Sequence, residues 1–274
     1  MPEVEITRRY LEAALVGRVF ANVCVSQPRT ARRNASPEEV KNRLTGREIQ
    51  AVDRHGKFLV APLDDGYTMV AHLGMSGRFA IAAPGDKRPP HTHLVAGLDD
   101  GRELRFIDPR TFGFVAAFDE DELGDAGLSR LGRDAWKDLP DPAWTCTVLR
   151  QRRAPIKALL LDQTILAGLG NIYADEALYQ ASIHPLSPGG ELSPDQVSAL
   201  LEGVRRVLSA AIDNGGTTLD DLAYLLPDGR AGGNMVSLAV YGREGHPCTR
   251  CGEAIQRVVV RGRSTHFCPA CQTS

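Results

Sequence analysis

The sequence predicts an α+β, multidomain chain: an N-terminal helix with a β-sandwich or barrel, then a helical domain, then a C-terminal zinc hairpin. Three observations carry this. Short apolar runs separated by turn signals fill the stretch from Val19 to about Phe118. From Trp144 the apolar spacing becomes helical. Near the end stand two matched pairs, Cys248-Thr-Arg-Cys251 and Cys268-Pro-Ala-Cys271, with sixteen residues between them.

Each element follows from local pattern. Pro2 to Val16 reads as a helix because Val4, Leu11 and Leu15 share a face and Gly17 stands where a C-terminal cap belongs. Strands are expected at Arg47–Val52, Phe58–Leu63, Thr68–Leu73, Arg78–Ala82, His93–Leu98, Glu103–Ile107 and Phe112–Phe118. Asp64-Asp65-Gly66 and Asp99-Asp100-Gly101 are turn signals between them. The acidic stretch Asp119 to Asp141, with eight acidic and three basic residues, reads as a solvated linker. Helices are expected at Thr145–Arg152, Ile156–Leu161, Ile172–Ala181 and Pro194–Asp213, followed by a Gly-rich loop, Asp228 to Asn234. The domain boundaries expected are therefore 1–130, 143–227 and 228–274.

A two-residue spacer lets both sulfurs of a Cys-x-x-Cys pair reach one ion, and zinc takes four thiolates in a tetrahedron. Cys248, Cys251, Cys268 and Cys271 are the expected ligands of one structural Zn2+. Two disulfides are the alternative, which would suit a secreted chain. The first twenty residues argue against secretion, since they carry Glu3, Glu5, Arg8, Arg9, Glu12 and Arg18. Cys24 and Cys146 stand isolated, as in a reducing cytoplasm, and no apolar run is long enough to span a bilayer. Between the pairs, Ile255 and Val258-Val259-Val260 read as a hairpin turning at Arg261-Gly262-Arg263, a common way to present arginines to nucleic acid. The net charge of −2 argues mildly against such a partner. Its distribution argues for one: Arg150 to Lys157 holds four basic residues and no acid, and Asp228 to the end holds six basic against three acidic.

In Leu161-Asp-Gln-Thr-Ile-Leu-Ala-Gly-Leu-Gly-Asn-Ile-Tyr-Ala-Asp-Glu176, Gly168 and Gly170 permit a tight turn, and Asn171 begins a helix whose free N–H groups favour a phosphate. An ordinary cap after a glycine turn would read the same way. Together with Asp108-Pro-Arg-Thr-Phe-Gly113, Val240-Tyr-Gly-Arg-Glu-Gly245 and the four-cysteine hairpin, however, the segment resembles the formamidopyrimidine-DNA glycosylase and endonuclease VIII family over nearly the whole chain. Gly215-Gly-Thr-Thr-Leu219 and Val240-Tyr-Gly-Arg243 are similar to the formamidopyrimidine branch.

The resemblance implies a β-sandwich, a helix-two-turn-helix domain and a zinc finger. It implies a bifunctional base-excision enzyme with two steps: removal of oxidised bases such as 8-oxoguanine and formamidopyrimidines, then strand cleavage by β,δ-elimination. The substrate implied is double-stranded DNA with such bases or abasic sites, met by a monomer in the bacterial cytoplasm and nucleoid. The catalytic residues implied are Pro2, whose secondary amine forms a Schiff base once Met1 is removed, the adjacent Glu3, and Lys57 near the phosphates. Met75, Arg110 and Phe112 match the residues that fill the void of a flipped nucleotide. Asn171 and Arg263 match phosphate-gripping residues, and His72, His91 and His93 are expected along the same cleft.

One departure concerns the start. The family opens Met-Pro-Glu-Leu-Pro-Glu-Val-Glu, whereas this chain opens Met1-Pro2-Glu3-Val4-Glu5 and keeps the family register from Leu11 onward. Three residues are fewer, so register sets Pro2 and Glu3 on the second Pro-Glu and not on the catalytic first; catalytic residues upstream of the given start, or a rearranged first turn in which Pro2 acts, would each account for this. Pro at the first helical position and Glu in the first turn are also ordinary helix-start chemistry. A non-catalytic, damaged-DNA-binding protein on the same scaffold is the alternative this departure raises. A zinc hydrolase is a weaker one, since four thiolates leave no open coordination position.

Overall fold

The computed structural model describes residues 1–218, 225–226 and 229–273. Leu219, Asp228 and the expected boundary at 227 lie outside them. The chain divides into two compact units: Pro2–Ser129 with Asn214–Gly233, and Met1 with Arg130–Asp213 and Asn234–Ser274.

The first unit begins with α1 (Pro2–Leu15), which has Pro at its first position and Glu3 and Glu5 in its first turn. Its buried face carries Val4, Thr7, Leu11 and Leu15. Gly17, at φ +77°, ends it and donates its N–H to the Ile49 carbonyl at 2.8 Å. Two antiparallel four-stranded sheets follow. One has the order β1-β6-β7-β5, from Phe20–Val25, Thr92–Leu98, Glu103–Ile107 and Arg78–Ala82. The other has the order β2-β3-β4-β8, from Asp53–His55, Phe58–Pro62, Thr68–His72 and Phe114–Phe118. Alternate residues of both sheets form one core: Phe20, Phe79, Leu94, Leu104 and Phe106 from the first, and Leu59, Ala61, Met69, Ala71, Val115 and Ala117 from the second. This is the sandwich expected.

β8 is apolar on both faces because both are covered. Val115 and Ala117 enter the main core, while Phe114, Ala116 and Phe118 pack with Val70 and Ala126 in a second cluster. Ala126 comes from the acidic stretch, which is therefore not a plain solvated linker. It holds single turns at Leu123–Ala126 and Leu128–Arg130, and Glu122 pairs with Arg43. The segment Arg47–Val52 differs from expectation too: it makes only isolated bridges, Glu48 to Val19 and Ile49 to Leu63. Helix α2 (Pro37–Leu44) falls where the apolar pattern predicts no element, although Ser36 caps it by accepting from the Glu39 N–H at 3.2 Å.

The second unit is mainly helical: α3 (Pro142–Leu149), α4 (Ile156–Leu160), α5 (Asn171–Gln180) and α6 (Pro194–Asp213). A two-residue parallel pair, β9 (Arg133–Asp134) with β10 (Leu166–Ala167), precedes the turn into α5. The zinc hairpin is β11 (Gln256–Val260) with β12 (Arg263–Phe267). Its turn is the two residues Arg261-Gly262, both at positive φ (47° and 76°), so Arg263 pairs with Val260 rather than lying in the turn. Among the described residues no helix is long and apolar enough to cross a membrane.

One buried ion pair ties α1 to the sheet. The Glu5 carboxylate accepts from Arg54 Nε at 3.0 Å and Arg9 Nε at 2.9 Å, and Arg54 donates onward to the Gly56 carbonyl at 2.8 Å. Burial alone would raise the Glu5 pKa, but the Arg54 and Arg9 hydrogen bonds and the nearby cations outweigh it, and the net shift is downward. The pair therefore adds stability above the ordinary glutamate range and loses it as pH falls through the lowered folded value. Arg54→Met, which leaves the buried carboxylate with only its helical neighbours, should cost about 3 kcal/mol in urea unfolding. A loss below about 0.5 kcal/mol would show the pair to be dispensable.

Candidate active site and nucleic-acid interface

In the sandwich unit, Pro2 and Glu3 lie at a helix start, and Lys57, Met75, Arg110 and Phe112 on three loops. Pro2 is the buried first residue of α1, and its nitrogen carries Met1. Glu3, one residue on, is half-buried and accepts the Thr217 N–H at 3.2 Å. Lys57 stands with Gly56 in the two-residue turn between β2 and β3, since His55 pairs with Phe58. Gly56 takes φ +60° there. The Arg54 bond to the Gly56 carbonyl links this turn to Glu5, in the same helix as Pro2.

Met75 lies between β4 and β5, and Phe112 between β7 and β8; they are 57 % and 44 % exposed, although Ser76 and Gly113 beside them are buried. Asp108 joins the two loops. Its carboxylate is fully buried and accepts from Ser76 Oγ at 2.6 Å, Gly113 N at 2.7 Å and Arg110 N at 3.3 Å. The Arg110 guanidinium sits over the Phe112 ring, 5.2 Å from its centroid. The His pair belongs to the same assembly: Asp108 N donates to the His91 carbonyl at 3.0 Å, and His93 Nε2 lies 3.0 Å from the Asp108 carbonyl. His91 itself has φ +62°.

His72 closes β4 beside these loops, against the rings of Phe58 and Phe114 at 5.0 and 6.1 Å. Its Nδ1 accepts the Gly74 N–H at 3.0 Å, which requires that nitrogen unprotonated. Burial, then the charges of Lys57, Arg32 and Arg33, push its pKa down to about 4.

The helical unit gathers the remaining expected residues. Asn171 opens α5, after Gly170, and donates from Nδ2 to the Ser264 carbonyl at 3.0 Å. The fully buried Lys157 donates to that same carbonyl at 2.6 Å and pairs with Asp175 at 2.6 Å. Ser264 is next to Arg263, so Asn171 and Arg263 are fixed as neighbours, with Arg263 exposed. Asp175 also accepts the His266 N–H at 2.9 Å, while Glu176 accepts the N–H groups of Ala239, Val240 and Tyr241 at 2.9, 2.9 and 2.8 Å. Nothing in the sequence pattern singles out Lys157, Asp175 or Glu176. Glu176 closes the recognised motif, but a carboxylate whose partners lie more than sixty residues away leaves no local signal.

The sulfurs of Cys248, Cys251, Cys268 and Cys271 all lie within 4.8 Å of one another, with 3.9 Å for Cys248–Cys271 and 3.5 Å for Cys251–Cys268. A tetrahedral zinc with ordinary Zn–S bonds needs sulfurs about 3.8 Å apart. The residues fit one structural zinc. The Tyr179 hydroxyl, on α5, lies 3.3 Å from Cys248 Sγ, which holds the finger to the helix.

Residues 1–115 match the formamidopyrimidine-DNA glycosylase N-terminal domain, 131–222 the formamidopyrimidine-DNA glycosylase H2TH domain, and 245–273 a zinc finger found in FPG and IleRS. The chain is 41 % identical over 286 residues to the formamidopyrimidine-DNA glycosylase of Corynebacterium jeikeium, covering 99 % of each chain. It is 42 % identical over 273 residues to that of Thermus thermophilus, covering 99 % of this chain and 97 % of the relative. Among solved structures, Lactococcus lactis Fpg in complex with abasic-site DNA superposes with a TM-score of 0.90 at 34 % identity, covering 100 % of this chain and 99 % of the other. The same enzyme with Fapy-dG-containing DNA gives 0.89 at 34 % identity and the same coverage.

Two outcomes check this geometry. Cys248→Ser should lose zinc, read by metal analysis of the purified protein, and destabilise the hairpin while the sandwich keeps its own unfolding transition; retention of one zinc per chain would contradict the ligand set. For His72, the folded pKa lies below the unfolded value near 6.5, so the unfolded chain binds the extra proton between them. Stability should fall as pH drops from about 6.5 to about 4, and His72→Asn should flatten that limb in pH-dependent thermal melts.

Proposed function

We propose that Pro2, Glu3 and Lys57 carry the chemistry of this chain, which belongs to the formamidopyrimidine-DNA glycosylase family, while Met75, Arg110 and Phe112 hold the duplex open. It is a base-excision repair enzyme, a DNA glycosylase that is also an AP lyase. The observation that best supports the residue assignment is the convergence of the Met75 and Phe112 loops on one buried carboxylate, Asp108. Two exposed apolar side chains braced in this way suit a wedge that replaces a flipped nucleotide. Oxidised purines, 8-oxoguanine and formamidopyrimidines, are the proposed bases, in keeping with the Fapy-dG DNA bound by the Lactococcus lactis enzyme.

Removal of Met1 would free the Pro2 secondary amine. Its lone pair attacks C1′ of the extruded nucleotide, the glycosidic bond breaks, the base leaves with the electron pair of that broken bond and takes up a proton, and the Pro2 nitrogen gives up its N–H proton. Opening of the sugar ring moves a proton to its ring oxygen and leaves an iminium between Pro2 and C1′. The iminium acidifies C2′–H. Loss of that proton expels the 3′ phosphate, and a second elimination expels the 5′ phosphate. Glu3, adjacent in sequence and held by the Thr217 N–H, is placed to move protons during these steps. Lys57, presented on a two-residue turn, supplies a cation to the phosphates, and Asn171 and Arg263 of the helical unit grip the DNA backbone. His91 is assigned to the same DNA-facing surface. The zinc ion itself would contribute structure only, because four thiolates fill its coordination shell.

Borohydride trapping on an abasic duplex tests the nucleophile. The protein should give a reduced covalent adduct, and Pro2→Gly should reduce its yield at least about a hundredfold while duplex affinity stays within about twofold. An adduct that survives in Pro2→Gly would move the nucleophile elsewhere. Normal duplex binding with no adduct at all would favour the non-catalytic reading.

A further inference from the structure

Thr111 stands between Arg110 and Phe112 at φ +53°. A β-branched residue in the left-handed region is uncommon and costs free energy, so it persists only where its surroundings over-determine it. From inside, Asp108 holds Gly113 N and Arg110 N, and its carbonyl accepts Thr111 N at 3.2 Å. Gly74 presses on the same turn: a Cβ there would meet Gly113 N at 2.6 Å and Phe112 C at 2.7 Å. These contacts hold N–H groups and one face of the loop. They leave its carbonyls to be held from outside.

Arg32 takes that role. Its guanidinium donates from Nη2 to the Phe112 carbonyl at 2.7 Å and from Nη1 to the Gly113 carbonyl at 2.5 Å. It also donates to the Arg29 carbonyl at 2.9 Å, which fixes its own position. The bonds continue a pattern along β8, an edge strand. Asn34 exchanges two hydrogen bonds with Ala117, at 2.7 and 3.0 Å, and Arg43 donates to the Ala117 carbonyl at 3.0 Å. Side chains from Arg32 to Arg43 thus occupy an edge that would otherwise be unpaired. Arg32 lies where this cover meets the wedge loop.

We propose that Arg32 is a positioning residue for the wedge: its fork on the Phe112 and Gly113 carbonyls holds the strained Thr111 turn in the conformation that presents Phe112 and Arg110. This rests on the reading of Phe112 as the wedge. A planar fork that bonds two successive carbonyls is a task for arginine, which lysine cannot reproduce although it keeps the charge.

The test uses the full-length protein in single-turnover excision of 8-oxoguanine from duplex DNA, beside cleavage of a pre-formed abasic duplex. Phe112→Ala comes first, and should slow lesion excision more than abasic-site cleavage; equal losses would sink the wedge reading itself, independently of Arg32. Given that result, Arg32→Lys should slow lesion excision about tenfold or more, with affinity for undamaged duplex and its salt dependence unchanged. In the Phe112→Ala background Arg32→Lys should add little. Glycine adopts positive φ without steric cost, so Thr111→Gly should restore part of the lost excision in Arg32→Lys. Thermal melts of Arg32→Lys should match those of the parent. Wild-type excision by Arg32→Lys overturns the proposal, as does a loss that adds in full to that of Phe112→Ala. So does an Arg32→Met variant that weakens all duplex binding while Arg32→Lys behaves normally, because Arg32 would then be a phosphate contact.

Discussion

The carboxylate of Asp108 is the interaction on which the rest of the sandwich unit's candidate site depends. It is fully buried, and both oxygens are taken by protein donors. Taking such a group out of water is costly, and only charge-assisted hydrogen bonds of this kind make it tolerable. The consequence is rigidity: Ser76, Arg110 and Gly113 are held by one side chain, and His91 and His93 by the same residue's backbone. Without it the Met75 loop and the Phe112 loop would lose the hydrogen bonds that join them through Ser76 and Gly113.

The helical unit uses the same device on different residues. Glu176 gathers three successive N–H groups after the Asn234–Ser237 turn, and Asp175 gathers Lys157 and the His266 N–H. Both acids project from α5, whose first residue is Asn171 and whose last turn carries Tyr179 against Cys248. One helix therefore sets the position of its own N-terminal Asn, of the strand bearing Arg263 and of a zinc ligand. Ser264 is where these constraints meet: its single carbonyl receives both Lys157 and Asn171.

Much of this is legible in the sequence. The zinc ligands follow from spacing, because the geometry of two Cys-x-x-Cys knuckles is local. Strands such as Arg78–Ala82 and Glu103–Ile107, and the helix Pro194–Asp213, fall at the expected bounds because each has a clear apolar period. β1 and α2 escape the pattern for different reasons. In β1 the exposed positions carry Ala21, Asn22 and Cys24, so alternation is weak. In α2 only Val40 and Leu44 are buried, too little for periodicity to outweigh its charges, although Ser36 with Glu39 is a readable start signal. Phe112–Phe118 is expected as one strand, yet pairing begins at Phe114, because the Asp108 bonds and the left-handed Thr111 take the chain out of the sheet first. Arg32 has no sequence signal at all: its partners are about eighty residues away, and an arginine in a loop has no local signature.

Exposure of Met75 and Phe112 is by itself weak evidence of function, since more than half of a folded protein's surface is apolar atoms. The bracing beneath them says more. A solvent-facing ring with no task needs no fixed backbone, and thermal motion of its loop would cost the fold nothing. Here the ring sits beside a β-branched residue held at positive φ, with a buried carboxylate on one side, an arginine fork on the other, and a glycine so close that no Cβ fits. Each of these lowers stability taken alone: strain at Thr111, desolvation at Asp108, backbone entropy at Gly74. A loop that only connected two strands would be more stable with none of them. Their joint presence makes sense where an exposed ring must push against something without being pushed back, which is what separating stacked bases demands.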